Sequence, residues 1–406
     1  MIEIPWSWVL LVAGAFVTGA SCVAILVVKR QLEILAAIVG VASFAFSIYT
    51  LASLARTYER VDVAVYAVAF MLAAAAGGWA LAASVLERAG ERAESVTLAP
   101  QTIEAEREGV AVVLFADIER AEYDPIDTAR ALSDLTDDDL VSVSLATLPF
   151  LFFAQKARYR ALGGRSPAHA ELRTVADRLS HSLKGVERIE YATCEGESSL
   201  ASRVQSLALA GFKTIVAAEL AVGDSRDLAD AKRQTDALRL QDHGVRVAFT
   251  SPIGASERIV SMLVQRILRV TEDAAGTGVI LLGQGQPETL ARLHPDFDIQ
   301  ENALLSRVRM QLTDAGVAED NVHIAWAEWR APDLINTVRH LAALGCRRIV
   351  VVPGTFPLDT ITTRLDTELA VHQARIDSSV TVVTLPAWSD DPRLVAELAE
   401  RVDGEL

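Results

Sequence analysis

Residues 278–288 read GVILLGQGQPE. An apolar run, 279–282, enters a turn in which Gln284 stands between Gly283 and Gly285, with Pro287 close behind. A short apolar run stopped by glycine and proline is the pattern of a buried strand leaving a parallel sheet, and ligands of α/β proteins meet the chain at that carboxyl end. The side chain offered there is an amide, which exchanges hydrogen bonds but takes up no proton near neutrality.

Outward from this turn the pattern repeats. Apolar runs near 110–115, 187–193, 213–219, 245–250, 279–283, 321–327, 347–353 and 379–385 alternate with helical stretches. Such alternation predicts an α/β fold with parallel sheets covered by helices on both faces. The stretch AGFKTIVAAELAVGDSRDLADAKRQTDAL with VRVAFTSPIGASERIVSMLVQRIL has the layout of LGCRRIVVVPGTFPLDTITTRLDTELAV with VTVVTLPAWSDDPRLVAELAERV. Internal similarity of this kind predicts two alike lobes facing a cleft, divided near TEDAAGTG at 271–278. We assign the lobes to 109–272 and 273–406.

The chain has 406 residues, 51% of them hydrophobic, and its mean hydropathy of +0.28 is high for a wholly soluble protein. The excess lies in the first ninety residues. Segments 8–28, 32–54 and 63–86 are nearly free of charge and long enough to cross a hydrocarbon layer of roughly 30 Å, so three transmembrane helices are expected within 1–88. A cleaved signal peptide fits poorly, because MIEIPW carries Glu3 and no basic residue. Small residues recur in the spans, among them Gly14, Gly19 and Gly40, as suits close helix packing in lipid. No ionisable residue sits in mid-span, which argues against an ion pathway. Lys29, Arg30, Arg88 and Arg92 flank one side of the spans and Arg56 and Arg60 the other. The positive-inside rule therefore predicts a multi-pass membrane protein with its large C-terminal part in the cytoplasm. Polar residues 89–108 read as a linker.

Other function classes fit less well. A net charge of −15 argues against nucleic acid as a partner. Cys22, Cys194 and Cys346 form no disulfide framework. Seven histidines, at 169, 181, 243, 294, 323, 340 and 372, include no paired-ligand spacing. His294, just beyond the Gln284 turn, is the best alternative base among them. Asp137 to Asp139 read as a solvated turn, and Asp366, Glu368 and Arg364 as a charged helix face. Gly283-x-Gly285 lacks the third glycine and downstream acid of a dinucleotide site.

The stretch 159–167, YRALGGRSP, joins a tyrosine, two glycines and a Ser-Pro pair suited to opening a helix. It resembles the Tyr-x-x-Ile-Gly-Gly-Gly-Ser-Pro signature of ferrochelatases. Tyr159, Leu162, Gly163, Gly164, Ser166 and Pro167 correspond, and Arg165 replaces the third glycine. EWRAPDLINTVRHLAALGCRRIVVVP, at 328–353, is similar to that family's Trp-x-x-Pro, helix, glycine, strand, proline segment, and LPAWSDDPRLVAELAERV to its closing segment. The resemblance runs from about 110 to 404 and implies two Rossmann-like lobes gripping a porphyrin or haem while a metal enters the macrocycle.

That reaction needs a base for two pyrrole protons and a carboxylate that helps to move protons or metal. The family's base is a histidine, whose pKa of about 6.5 suits the work. Its Ser-Ala-His-x-x-Pro turn falls on GQGQP, with Gln284 at the histidine; sirohydrochlorin chelatases have Gly-His-Gly at this turn. The Ser-Asp-His-x-Glu segment falls on LDTIT, which keeps Asp359 and has Thr362 at the glutamate. The opening loop of the first lobe offers Asp117, Glu119 and Tyr123. By this resemblance the catalytic positions are Gln284, Asp359 and Thr362, and the ligand-contacting ones Tyr159, Gly163, Gly164, Ser166, Glu119, Tyr123 and Trp329. The expectation is a membrane-anchored, tetrapyrrole-binding relative altered at the catalytic positions, with lipid and a tetrapyrrole or membrane protein as partners and no resident metal. The alternatives are an active chelatase using a carboxylate base, and a scaffold that binds only a partner.

Overall fold

The computed structural model describes residues 6–58, 61–92, 107–137, 142–194, 198–271 and 273–406. Most of the linker 89–108, and Asp138 and Asp139, lie outside the described residues. The chain forms two compact units, one of 1–95 with 122–165, the other of 96–121 with 166–406.

The first unit holds α1 (Trp6–Val27), α2 (Arg30–Tyr58) and α3 (Val61–Arg92). All three are long and apolar enough to cross a membrane. They are apolar nearly all round, with Leu32, Ile34, Val41, Phe44, Val65 and Phe70 exposed, which is the condition of a helix whose solvent is lipid rather than water. Strand β1 (Arg107–Ala116) follows, and belongs to the other unit. Helices α4 (Pro125–Asp137) and α5 (Leu148–Ala161) then rejoin α1–α3. Val23, Val27, Ala129, Leu148 and Phe152 form their shared core.

The second unit continues with α6 (Ala168–Ser182), β2 (Val186–Thr193), α7 (Leu200–Leu209), β3 (Phe212–Glu219), α8 (Arg226–Asp236), β4 (Arg246–Phe249) and α9 (Glu257–Val270). Then come β5 (Thr277–Gly283), α10 (Glu288–Leu293), α11 (Pro295–Asp314), β6 (Val322–Trp326), α12 (Leu334–Ala343), β7 (Arg348–Pro353), α13 (Thr367–Gln373), β8 (Thr381–Thr384) and α14 (Pro392–Glu405). Every run expected to be a strand is one. The strands make two four-stranded parallel sheets, ordered β2-β1-β3-β4 and β6-β5-β7-β8. The orders are equivalent, as the internal sequence similarity predicts.

Central strands are buried on both faces, which is why they read as continuous apolar runs: every residue of β5 is buried. One face of each sheet joins a common core that includes Val112, Leu114, Val216, Leu281, Leu304, Val350 and Trp388. The other faces have separate cores, around Phe115, Ile215 and Leu228 for the first sheet and Ile280, Ile349 and Leu341 for the second. In either order the connections reverse between the two middle strands, β1 and β3 or β5 and β7. Carboxyl ends at such a reversal leave a crevice free of crossing chain.

Candidate active site

At the end of β5 the backbone of the Gln284 turn is fixed on every side. Its N–H donates to Glu301 Oε1 at 2.7 Å and to Thr355 Oγ1 at 3.0 Å, and the N–H of Gly285 donates to Glu301 Oε2 at 3.2 Å. Thr355 Oγ1 donates to the same carboxylate at 2.7 Å. The carbonyls of Gly283 and Gln284 accept from Ala327 and Glu328. Both glycines are demanded by space: a Cβ at 283 would lie 2.6 Å from the Trp326 ring, and one at 285, where φ is +77°, would lie 2.6 Å from the carbonyl of Glu328. The Gln284 side chain is exposed and lines the crevice.

Glu301 is fully buried. Burial pushes its carboxyl above the ordinary range, against hydrogen bonds from Thr355, Gln284 and Gly285 that favour the ionised form. Sequence reading missed this residue, since one acid in ENALLSRV looks like the solvated side of a helix. Its neighbour Gln300 accepts from the Asp224 N–H at 2.7 Å beyond β3. Two consecutive residues of α11 thus tie the loops of both sheets to one helix.

Two adjoining cavities occupy the crevice, of about 140 Å³ and 50 Å³. They share Asp117, Ile118, Gln284, Phe356 and Thr360. The larger adds Glu119, Glu328 and Thr362 and is mostly polar; the smaller adds Leu220, Val222, Phe297 and Leu358. Asp117 follows β1 as Gln284 follows β5, so the two sheets present equivalent positions to one space. Drug-sized ligands fill roughly 300 Å³ or more, so each of these cavities is smaller than such a ligand needs. A third hollow of about 360 Å³, beside β4, is lined by Thr235, Leu240, Arg246 and their neighbours and contains none of the expected site residues.

Of those residues, Gln284, Glu119 and Thr362 meet in the larger cavity. Ser166 joins them through Glu119, whose carboxylate accepts from Ser166 Oγ at 2.5 Å and from the Ile361 N–H at 2.8 Å. Ser166 Oγ also accepts from the Ala168 N–H at 3.1 Å, capping α6. Asp359 lies nearby but is buried: Oδ1 accepts from Ala387 N–H at 3.0 Å and Thr363 Oγ1 at 3.1 Å, and Arg364 is 3.5 Å from Oδ2. Its N–H donates to Glu171 at 2.7 Å, and Ser389 donates to the same carboxylate; burial raises the Glu171 carboxyl.

Tyr123 and Tyr159 belong to the other unit, where their rings meet edge to face at 6.2 Å. Tyr123 Oη donates to the carbonyl of Val27 at 2.7 Å, and burial drives its pKa upward. Gly163 and Gly164 have φ of +78° and +95°, the left-handed turn that their sequence predicts. Trp329 is half exposed with φ of +61° and lines neither cavity. His294 ends α10, its carbonyl accepting from buried Gln286 at 3.1 Å. His169 Nε2 lies 3.0 Å from the carbonyl of Glu119, and burial lowers its pKa. Among the described residues no three His, Cys, Asp or Glu side chains group as metal ligands.

No curated protein matches the sequence. Among solved structures, SirB of Bacillus subtilis with Fe3+ shares 14% identity, with 73% of this chain and 94% of that one covered and a TM-score of 0.47. A multi-domain protein of Deinococcus radiodurans with structural similarity to chelatases shares 11%, covering 72% and 55%, with a TM-score of 0.45. CbiX, the terminal enzyme of sirohaem biosynthesis in denitrifying bacteria, shares 14%, covering 74% and 100%, with a TM-score of 0.39. The family profile described as Ferrochelatase matches residues 136–406, which is more than half of the chain. By that match the chain belongs to the ferrochelatase family.

Proposed function

We propose that this is a membrane-anchored, ferrochelatase-like protein whose crevice binds a tetrapyrrole and whose proton-accepting position has been altered. The observation that carries the reading is the Gln284 turn: its backbone is fixed by Glu301, Thr355, Ala327 and Glu328, and the one group it turns toward the crevice is an amide. An amide holds the edge of a ligand but does not accept a pyrrole proton. In the same reading Thr362 lines the cavity without acid–base capacity, Asp359 supports the 358–363 loop, and Glu119, with Ser166 bonded to it, stands at the ligand's edge. Three spans, a linker and two chelatase-like lobes divided near 271–278 are its parts, with the lobes on the cytoplasmic side.

One observation favours a second reading, an active chelatase. Asp117, Glu119 and Glu328 line the same cavity as Gln284, and a carboxylate could take the protons while the entering metal ion is bound as substrate. Titrating protoporphyrin or haem into the purified protein and following the Soret band separates these readings from a third. A saturable shift at stoichiometric protein supports a tetrapyrrole site. An unshifted band at high protein concentration would leave only a partner-binding scaffold.

A further inference from the structure

Residues 141–155 contain no charged side chain, and Lys156, Arg158 and Arg160 follow within five residues. In α5 this apolar stretch covers more than one face. Leu148, Phe152, Lys156 and Tyr159 form a buried stripe at helical spacing. Phe150 (54% exposed), Leu151 (37%) and Phe153 (43%) stand on the rest of the first two turns. Adjacent large apolar side chains exposed in this way mark a contact with something other than water.

The position of α5 within its unit identifies that contact. The Phe150 ring lies 5.6 Å from that of Trp79 on α3. Trp79 precedes Glu87, the first charged residue toward the end of α3, by eight residues, or about 12 Å of helix. Phe152 and Leu148 share a core with Val23 and Val27 near the end of α1. The basic half of α5 sits where the chain leaves α1: Lys156 Nζ donates to the carbonyls of Ile25 at 2.7 Å and Val28 at 3.0 Å and lies 2.6 Å from Glu33. Lys29 and Asp124 make a further ion pair of 2.6 Å. The apolar half of α5 is thus level with the apolar part of α3, and its charged half with the polar α1–α2 turn.

We propose that α5 is a membrane-embedded helix whose first two turns lie among lipid acyl chains, with Phe150, Leu151 and Phe153 against lipid and Arg158 and Arg160 at the headgroups. The membrane domain then comprises α1–α3 together with α4 and α5, inserted between β1 and α6. The inference rests on the reading that α1–α3 span a bilayer. Its occupant is lipid because the exposed face continues the apolar surface of the spanning helices and ends in basic residues, as in helices that lie in the interface.

The wild-type protein in phosphatidylcholine vesicles containing a phospholipid with an acyl-chain diazirine provides the test, with adducts located by proteolysis and mass spectrometry. Adducts on 148–155 are expected at a yield comparable with those on α2, and roughly tenfold above those on the exposed Leu293 and Leu344 of the other unit. Labelled α2 with unlabelled 148–155 would overturn the inference while leaving the spans intact. Neither region labelled would remove the spanning reading and the inference with it. Adducts on α2 combined with crosslinks from α5 to a second copy would show that protein, not lipid, covers this face.

Discussion

Glu301 holds the turn that presents Gln284: its two carboxylate oxygens accept the backbone N–H groups of Gln284 and Gly285 at 2.7 Å and 3.2 Å. The crevice residue is therefore positioned by a buried acid seventeen places further along the chain. Replacing Glu301 with Gln sets an amide donor against donors already aimed at the pocket. The expected cost is about 1–3 kcal/mol of stability, measured by thermal denaturation of the detergent-solubilised protein. Amide exchange at 284 and 285 should also accelerate. A variant as stable as wild type, with unchanged exchange, would show that Glu301 has no such role.

Glu119 ties the crevice together across the two sheets, accepting from Ser166 Oγ and from the N–H of Ile361. In Glu119→Ala both donors lose their acceptor, although Ser166 keeps its bond from Ala168. Hydrogen exchange at Ile361 should rise, and tetrapyrrole affinity should fall by roughly tenfold, the equivalent of about 1.4 kcal/mol. Unchanged exchange at Ile361 would contradict the assignment.

Glu219 makes the stability of the fold depend on pH. It is fully buried at the end of β3, with Lys232 Nζ 2.5 Å from Oε2. Burial outweighs the lysine's attraction and pushes the carboxyl up to about 7. Lys232 is less enclosed, and Glu219 and Asp224 together raise its pKa. Because the folded value for Glu219 exceeds the unfolded one, its contribution is fully present below pH 4.5 and is lost as pH rises through about 7. Relative to Glu219→Gln, wild type should lose up to about 3 kcal/mol across that window. Paired denaturation curves at several pH values measure the difference. Parallel pH profiles for the two proteins would contradict it.

The fold was legible from local pattern. Strands such as β5 and β7, buried on both faces, must be continuously apolar, and α1–α3 are long and nearly uncharged, so both leave a mark on any short window of sequence. The Gln284 turn was also legible, because its glycines answer to a positive φ at 285 and to the Trp326 ring at 283. Glu301 was not, since a carboxylate on a helix reads the same whether it faces water or two backbone N–H groups. Nor was the allegiance of 122–165: Tyr123 and Lys156 bond to carbonyls at the end of α1, more than ninety residues earlier, and no local pattern encodes partners so distant. The family signature spans that division, with Tyr159 in one unit and Ser166 in the other.

Zinc insertion into protoporphyrin, followed by absorbance from pH 6 to 9 for wild type and Gln284→His beside a protein-free control, tests whether the crevice binds a tetrapyrrole yet has no proton acceptor at Gln284. Wild type is expected to shift the Soret band of bound porphyrin yet form zinc porphyrin no faster than the control at any pH, while Gln284→His binds equally well and forms zinc porphyrin faster than the control. Insertion by wild type well above the control would contradict the account and assign proton transfer to the carboxylates beside Gln284.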